Sequence, residues 1–427
     1  MRELYRETVE YLLYWYDYNR RILPWRENPK PYYVWVSEIM LQQTRVEAVK
    51  GYFDRFLTAL PTIKDLAEAS EETLLKLWEG LGYYNRVRNM QKAAKEVVQN
   101  YDWELPADYE ALKKLPGIGS YTAGAIASIA FHIPEPAVDG NVLRVMKRVA
   151  GSFDDITKAS VKKELEDDIR VIMPKDRPGD YNQALMELGA MVCIPNGKPL
   201  CETCPLMHLC RAFKEETQAK IPVKPPKKER RIEQRAVMLV QCGDKFILHK
   251  RPKKGLLAGL WELPNFLVEA NNKYSVKLEN KEADVALTQE NNLNTEGKAC
   301  KQKTTGISTT VGSNFEKEYN LSEIPVKNQI CNKMEDAFLR EGITVQCHSL
   351  NKAKHIFSHI EWHMTGYCVT IEETVRQDLP KAVGNVMKQL KLSQEMDTEE
   401  YVLVSKEELE EIYPLPSAFE TYRKIMI

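Results

Sequence analysis

The chain has 427 residues, of which 43% are hydrophobic and 28% charged, a composition typical of a globular protein with roughly two or three domains. Its 60 basic and 61 acidic side chains nearly cancel, which excludes a histone-like protein and leaves local basic patches for any nucleic-acid binding. The longest nearly apolar run, 123–131, is far shorter than the ~20 residues that cross a bilayer. The first residues mix acidic and basic side chains. We therefore expect a cytoplasmic protein without membrane contact.

Helical periodicity dominates the first half of the chain. Apolar residues recur every three or four positions in 8–19, 34–50, 72–81, 89–99 and 161–173, and Pro and Gly separate these stretches. The pattern predicts an all-α domain over residues 1–218.

A basic segment with three prolines marks the domain boundary, and we expect an extended linker over 219–235. After it, two β-type runs at 236–240 and 246–250 are joined by a short loop with a glycine, which predicts a hairpin. The second domain, 236–427, is therefore expected to be α+β. Within it, residues 271–328 are rich in Asn, Thr, Lys, Glu and Ser, which indicates a flexible insertion.

One acidic side chain lies in an apolar helical stretch of the first domain. In residues 35–46, WVSEIMLQQTRV, Glu38 is flanked by Trp35, Ile39 and Met40. Partial desolvation of this carboxyl would raise its pKa and suit it to general acid catalysis. An isolated glutamate more often lies on a solvated helix face, so the neighbouring motifs must decide between the two interpretations.

A glycine-containing loop joins two further predicted helices. Residues 115–120 read LPGIGS, between helical stretches at 109–114 and 121–131. Gly117 and Gly119 allow backbone conformations closed to other residues, and with Ser120 they would present N–H groups to a phosphate at a helix N-terminus. A plain turn between two helices is the alternative.

Four cysteines are concentrated in residues 193–210. Their spacing, C-x7-C-x2-C-x5-C, would let four thiolates converge on one centre in a reducing compartment, and they are Cys193, Cys201, Cys204 and Cys210. Tetrahedral zinc and a [4Fe–4S] cluster both accept four Cys ligands. The residue types alone leave both open.

Several motifs together resemble one family. The hairpin LPGIG, followed by Asp139 after the second helix, resembles the helix-hairpin-helix DNA glycosylases. The cysteine segment is similar to the iron–sulfur loop of the endonuclease III and adenine glycosylase branch, with one extra residue in its first gap. LPWR (23–26), SEIMLQQTRVE (37–47) and GLGYYNRVRN (80–89) closely resemble the adenine DNA glycosylase, or MutY, family.

The resemblance implies a function and a set of partners. It implies a monofunctional DNA glycosylase of base excision repair that carries a [4Fe–4S] cluster and acts as a monomer. Its substrate would be double-stranded DNA in which adenine is mispaired with 8-oxoguanine or guanine. The enzyme would flip the adenine out of the stack and hydrolyse its N-glycosidic bond.

The resemblance also implies roles for individual residues. Glu38 would be the general acid, and Asp139 would stabilise or capture the oxocarbenium sugar, supported by Tyr121 and Asn141. The residues that would line the adenine pocket are Trp25, Arg26, Leu41 and Gln183. Those that would enter or face the duplex are Gln43 and Tyr83, which separate stacked bases, and Arg86, which faces phosphate.

Position 121 separates two branches of the superfamily. Endonuclease III-type enzymes resemble this chain but carry a lysine there that forms a Schiff base with the sugar, whereas this chain has Tyr121. Without the amine, strand cleavage has no obvious nucleophile. An endonuclease III-like glycosylase/lyase and a non-catalytic DNA-damage binding protein are the alternatives. The presence of both carboxylates disfavours the second.

The second domain begins with RPKKGLLAGLWELP (251–264), which resembles the start of a Nudix fold. The acids that bind magnesium in a Nudix hydrolase are not arranged correctly in 333–342, so we expect a Nudix-like domain that reads a base. Its recognition loop would be Phe357, Ser358 and His359, by resemblance to adenine glycosylases. A serine hydroxyl can both donate to and accept from a purine edge.

Overall fold

The computed structural model describes residues 1–226, 229–268, 327–372, 378–390 and 400–426. The insertion predicted at 271–328 lies outside these residues, apart from Lys327 and Asn328 at the start of a helix. In the ranges described, no helix is both long and apolar enough to cross a bilayer.

The N-terminal domain is all-α, as the periodicity predicts. Its α-helices are α1 (Arg2–Asn19), α2 (Pro24–Glu27), α3 (Pro31–Leu41), α4 (Val46–Ala59), α5 (Ile63–Glu68), α6 (Glu71–Leu77), α7 (Asn85–Asn100), α8 (Tyr109–Lys114), α9 (Ser120–Ala130), α10 (Gly140–Ala150), α11 (Ala159–Ile172), α12 (Pro178–Met191) and α13 (Arg211–Lys214).

Two hydrophobic cores divide this domain into two lobes. The first lobe is built from α2 to α9 around buried side chains that include Trp35, Phe56 and Trp78. The second lobe combines α1 with α10, α11 and α12, so the chain enters and leaves the domain through the same lobe. α9 and α12 pack together, and Met186 contacts both cores. The residues at the junction therefore come from distant parts of the sequence.

The glycine loop forms a hairpin between α8 and α9. Gly117 has a φ of +79°, and a Cβ there would lie 2.8 Å from the Cβ of Asn89. Gly119, the N-cap of α9, has a φ of −90° and open space around it, so the prediction that both glycines need a special backbone conformation is wrong for Gly119. Its lack of a side chain instead leaves the first N–H groups of α9 uncovered.

The C-terminal domain is built on a mixed sheet. The strand order is β3-β2-β1-β6-β5, with β4 also paired to β1 and β7 to β2. β1 runs parallel to β6 along its whole length, and the other pairs are antiparallel. The elements are β1 (Arg231–Cys242), β2 (Lys245–Lys250), β3 (Trp261–Glu262), β4 (Asn265–Leu267), α14 (Lys327–Arg340), β5 (Val345–Ile356), β6 (Ile360–Ile371), α15 (Leu379–Leu390), β7 (Glu400–Val404), α16 (Lys406–Glu411) and α17 (Glu420–Met426).

Helices cover both faces of this sheet. Met238 and Val240 of β1 face α14 and α15, whereas Val237 and Leu239 face α16 and α17. This alternation is the period-two pattern of a strand that is buried on both sides. The predicted hairpin of β1 and β2 is confirmed, with Gln241 opposite Phe246.

The predicted linker 219–235 is too long, because β1 begins at Arg231. Glu233 and Arg235 form an ion pair at 3.2 Å, and the Arg235 guanidinium lies 4.4 Å from the centre of the Trp362 ring. Charged residues that suggest a solvated linker therefore cover an aromatic side chain of β6. Pairing with β6 binds their main chain as well.

We expect Gly124→Ala to lower the free energy of unfolding by about 1–3 kcal/mol, measured by chemical denaturation. A Cβ at position 124 of α9 would lie 2.0 Å from the carbonyl oxygen of Pro136, a main-chain atom with little room to move. Gly51→Ala in α4 is the matched control, since no atom lies within 4 Å of its added Cβ. Alanine favours a helix, so the control should gain roughly 0.5–1 kcal/mol. Equal stability of the two variants would contradict this packing.

Candidate active site

Glu38 is buried on α3 at the side of the first lobe that meets the second. Glu38 is only 5% exposed, although the polar Gln42 immediately follows α3. Burial, with a smaller contribution from the charge of Asp139, raises the pKa of Glu38 to about 7. A hydrogen bond from Tyr121 and the charge of Arg26 oppose that rise. The group can therefore hold a proton near neutral pH, as a general acid must.

Tyr121 of α9 positions this carboxyl. Its hydroxyl donates to Oε2 of Glu38 at 2.5 Å and also lies 3.7 Å from the sulfur of Met186. Burial, followed by the charge of Glu38, holds the pKa of Tyr121 well above its usual value. Tyr121 is thus a neutral donor, which leaves Oε1 of Glu38 to carry the acid proton.

Asp139 is the N-cap of α10. Its Oδ1 accepts from the main-chain N–H groups of Asn141 and Val142, both at 2.8 Å, and its Oδ2 accepts from the Asn141 side chain at 2.8 Å. Burial raises the pKa of Asp139, and these hydrogen bonds counteract the rise. They favour the ionised form of the carboxylate, aided by the helix N-terminus.

A chain of hydrogen bonds supports Asn141 from behind. Arg144 donates to Oδ1 of Asn141 at 2.9 Å, to the Gly189 carbonyl at 2.8 Å and to the Cys193 carbonyl at 2.8 Å. The amide of Asn141 is therefore fixed with its nitrogen towards Asp139. The predicted supporting role of Asn141 has a direct geometric basis.

Arg26 lies beside the acid and is held by a carboxylate that sequence reasoning missed. Arg26 and Arg21 both bind Glu187 of α12, with closest contacts of 3.1 and 2.7 Å. Burial would raise the pKa of Glu187, but hydrogen bonds from the two arginines outweigh it and lower that pKa to about 2. Helical spacing offered a signal, because Glu187 follows Gln183 by one turn of α12.

The other residues predicted for the adenine pocket differ in position. Gln183 is half-buried on α12, and Leu41 is partly buried against the first core at the end of α3. Trp25 is only 4% exposed and packs edge-on against Phe53, with ring centres 5.2 Å apart. The structure thus places Trp25 in the core of the first lobe, and its contact with adenine stays a prediction.

Two exposed side chains stand on strained turns of the first lobe. Gln43 follows α3 with a φ of +60°, and Tyr83 precedes α7 with a φ of +48°. Tyr83 is 52% exposed. Non-glycine residues rarely adopt this conformation, and such strain is often found at functional sites.

Arg86 connects these two turns, and the prediction that it faces phosphate is wrong. One guanidinium nitrogen donates to the carbonyls of Ile39 and Gln42, both at 2.7 Å, and the other donates to those of Leu81 and Gly82 at 3.0 and 3.1 Å. Burial lowers the pKa of Arg86 to about 10. Its charge therefore binds main-chain carbonyls inside the protein and fixes the turn of Gln43 relative to that of Tyr83.

The predicted recognition loop is the tip of the hairpin between β5 and β6. The main-chain N–H of Phe357 donates to the carbonyl of Ile360 at 2.8 Å, and the Phe357 ring packs on Trp362 with centres 4.9 Å apart. Ser358 and His359 are exposed. The Ser358 hydroxyl lies 3.3 Å from the hydroxyl of Tyr83, so the tip reaches the first domain.

A groove of about 690 Å³ lies between the two domains. Its walls include the exposed turn of Tyr83, the hairpin glycine Gly117 and the β5–β6 tip, and also residues 255–258, which the sequence did not single out as a site. Glu38 and Asp139 do not line the groove, which instead contacts α3 at Trp35 and Ile39. The groove thus brings together Tyr83, Gly117 and the β5–β6 tip, whereas Gln43, Gly119 and Ser120 do not line it.

Ser120 has a different environment from the hairpin glycines. Its hydroxyl donates to Glu166 at 2.8 Å and accepts from Lys162 at 3.1 Å, both on α11. These contacts occupy the Ser120 side chain. The main-chain N–H groups at the start of α9 are the part of the hairpin that could still bind an anion.

The four cysteines of 193–210 line one small cavity whose other walls include Val145 and Leu206. Burial raises the pKa of Cys204 to about 12, and the neighbouring thiols contribute to the rise. Arg148 donates to the sulfur of Cys193 at 3.3 Å. Among the residues with described positions, no three metal-ligating side chains are grouped closely enough to hold a metal ion. The four thiols nevertheless line one mostly apolar cavity, so their chemistry, though not their present spacing, suits a thiolate-bound centre.

Known proteins with similar sequences agree with this arrangement. Residues 36–170 match the HhH-GPD superfamily of base excision DNA repair proteins. Adenine DNA glycosylase of Rattus norvegicus is 39% identical over 318 residues, which cover 62% of this chain and 61% of the rat protein. A solved endonuclease III–DNA complex aligns with 51% of this chain and 99% of its own, at 27% identity and a TM-score of 0.45, too low for an inference about fold.

This chain spans about three fifths of the length of the rat relative. Adenine DNA glycosylase of Schizosaccharomyces pombe is 36% identical over 322 residues, which cover 61% of this chain and 69% of that protein. Identity at this level over more than two thirds of a relative shows common descent. The chain belongs to the adenine DNA glycosylase, or MutY, family.

Proposed function

We propose that this protein is a monofunctional DNA glycosylase that hydrolyses the N-glycosidic bond of adenine mispaired with 8-oxoguanine or guanine in double-stranded DNA. The observation that carries the proposal is the buried carboxyl of Glu38, with a pKa of about 7, held by Tyr121 and close enough to Asp139 to feel its charge. The similar rat and S. pombe proteins are named adenine DNA glycosylases.

The two carboxyl groups would perform different steps. Glu38 donates its proton to N7 of the flipped adenine, so that the C1′–N9 bond breaks with its electron pair leaving on the base. Asp139, whose N-cap hydrogen bonds favour a carboxylate, stabilises or captures the resulting oxocarbenium sugar. Water then adds at C1′ and loses a proton. The reaction ends at an abasic site, because Tyr121 is a neutral hydrogen-bond donor and offers no amine to the sugar.

The groove between the domains would receive the duplex. Gln43 and Tyr83 enter the base stack and keep the flipped adenine apart from its former partner, while the N-terminus of α9 binds a backbone phosphate. The C-terminal domain, which we identify as Nudix-like, reads the opposing base with Phe357, Ser358 and His359. The 3.3 Å contact of Ser358 with Tyr83 supports this division, because both side chains then face one nucleotide.

Cys193, Cys201, Cys204 and Cys210 would hold a [4Fe–4S] cluster, which supplies a rigid cross-link to the segment after α12. Such a cluster is compatible with the reducing cytoplasm, where we expect the protein to act as a monomer. Arg144 and Arg148 contact the main chain or sulfur of Cys193 and would lie beside the bound cluster.

Glu38→Gln should abolish adenine release while leaving binding to the mispaired duplex intact, because the amide keeps the shape of the acid but has no proton to give. Duplexes with adenine opposite 8-oxoguanine, guanine and thymine would be incubated with the enzyme and treated with alkali to reveal abasic sites. Glu47→Gln on the exposed face of α4 is the control and should act like wild type. Near-normal release by Glu38→Gln would reject Glu38 as the acid.

The single-turnover rate should fall as pH rises through about 7, because Glu38 loses its proton there. Each further pH unit should reduce the rate by about tenfold. The hydrogen bond from Tyr121 lowers the pKa of Glu38, so Tyr121→Phe should move the midpoint of the fall to higher pH. A midpoint that moves to lower pH in Tyr121→Phe, or a flat profile in wild type, would contradict the assignment.

The purified protein should contain about four irons per chain and be brown, as expected for a cluster held by four thiolates. Metal analysis and the visible absorption spectrum would measure this. Cys204→Ser should lose most of the iron, whereas Cys347→Ser in β5 should keep it. Stoichiometric zinc without iron in anaerobically prepared protein would contradict the cluster and indicate a zinc site instead.

A further inference from the structure

The turn between α6 and α7, residues 78–84, carries a half-buried carboxylate near its start. Glu79 is 14% exposed and follows α6 by two residues. Its Oε1 accepts from the Arg423 guanidinium at 3.0 Å and from the main-chain N–H of Leu415 at 2.8 Å. Lys76 contacts its other oxygen at 2.9 Å. Two of its three donors therefore belong to the C-terminal domain, more than 330 residues away in sequence.

Two other polar contacts across this boundary lie outside the turn. Lys76 of α6 donates to the carbonyl of Leu409 at 3.1 Å, and Arg88 of α7 donates to that of Ala258 at 2.7 Å. Glu79 differs from both because it lies in the same short turn as Tyr83. Of these three contacts, that of Glu79 bears most directly on the side chain that enters the base stack.

Hydrogen bonds and backbone conformation make the turn 78–84 rigid. The indole N–H of Trp78 donates to the carbonyl of Gly82 at 3.1 Å, and Arg86 binds the carbonyls of Leu81 and Gly82. Gly80 and Tyr83 both have a positive φ, so the main chain is held in a conformation with few alternatives. A shift of residue 79 would therefore move the far end of the turn as well.

The C-terminal domain also contacts the far end of this turn, through Ser358 and Tyr83. We propose that Glu79 is a positioning residue that couples the reading of the opposing base by the C-terminal domain to the insertion of Tyr83 into the duplex. When the β5–β6 tip seats on 8-oxoguanine, Arg423 and Leu415 move with it and set the turn through Glu79. The coupling rests on the proposed function. It adds to that function a physical link between recognition of the opposing base and insertion of Tyr83 into the duplex.

The experiment uses the full-length protein and the variants Glu79→Gln, Arg423→Gln and the double variant. Single-turnover rates for adenine opposite 8-oxoguanine and opposite guanine give a selectivity ratio. Amide hydrogen exchange of peptides that cover 78–84 reports on the turn itself. Arg177→Gln is the matched control, since it removes an arginine ion pair with Asp17 inside the helical domain.

Each single variant should lower the selectivity ratio by about three- to tenfold, mainly through slower removal opposite 8-oxoguanine. The double variant should lose no more than the larger single loss, because both side chains belong to one contact. Exchange in 78–84 should be faster in Arg423→Gln although the mutated residue belongs to the other domain. The Arg177→Gln control should change neither measurement.

Unchanged exchange in 78–84 for Arg423→Gln would overturn the coupling whatever the activities are. Faster exchange with an unchanged selectivity ratio would show that Glu79 only joins the two domains. That result would also overturn the proposal. Failure of the proposed function is a separate result: wild type would then release no adenine from either duplex, and hydrogen exchange would still decide whether the C-terminal domain holds the turn.

Discussion

Burial of one carboxyl group between two helical lobes is the constraint on which the site depends. Removing Glu38 from water disfavours its charged form, and the nearby charge of Asp139 adds to the effect. A neutral acid is then available near pH 7 only while the lobes remain in contact. The packing of α9 on α3 and α12 maintains that contact and also delivers Tyr121 to the acid. Stability of the lobe junction and acid strength therefore have a common origin.

The second carboxylate, Asp139, differs from Glu38 in its hydrogen-bond partners. Asp139 is also buried, yet its oxygens receive three hydrogen bonds, two of them from the start of α10. These hydrogen bonds oppose the rise that burial causes in the pKa of Asp139, whereas Glu38 has a single neutral donor to oppose it. The close packing at Gly124 brings the main chain of Pro136 against α9, just ahead of Asp139.

Both domains contribute walls to the groove between them. The groove takes one wall from Gln42 and the turn of Tyr83 and the other from the β5–β6 tip and residues 255–258. Arg86 binds main-chain carbonyls behind the first wall, and Glu79 joins the same turn to Arg423 and Leu415 of the C-terminal domain. These half-buried charged side chains fix the geometry of loops that bear exposed side chains.

The sequence alone determined the helical class of the first domain and the β1–β2 hairpin, and its motifs singled out Glu38, Tyr121, Asp139 and the cysteine segment, because periodicity and local motifs carry that information. It misjudged Arg86 and Gly119, whose surroundings follow from neighbours distant in sequence. Only the tertiary structure paired Glu187 with Arg21 and Arg26, and Glu79 with Arg423. A local pattern indicates which face of an element is buried. Which charged side chains pair across a lobe or domain boundary depends on tertiary packing, and no short window of sequence contains that information.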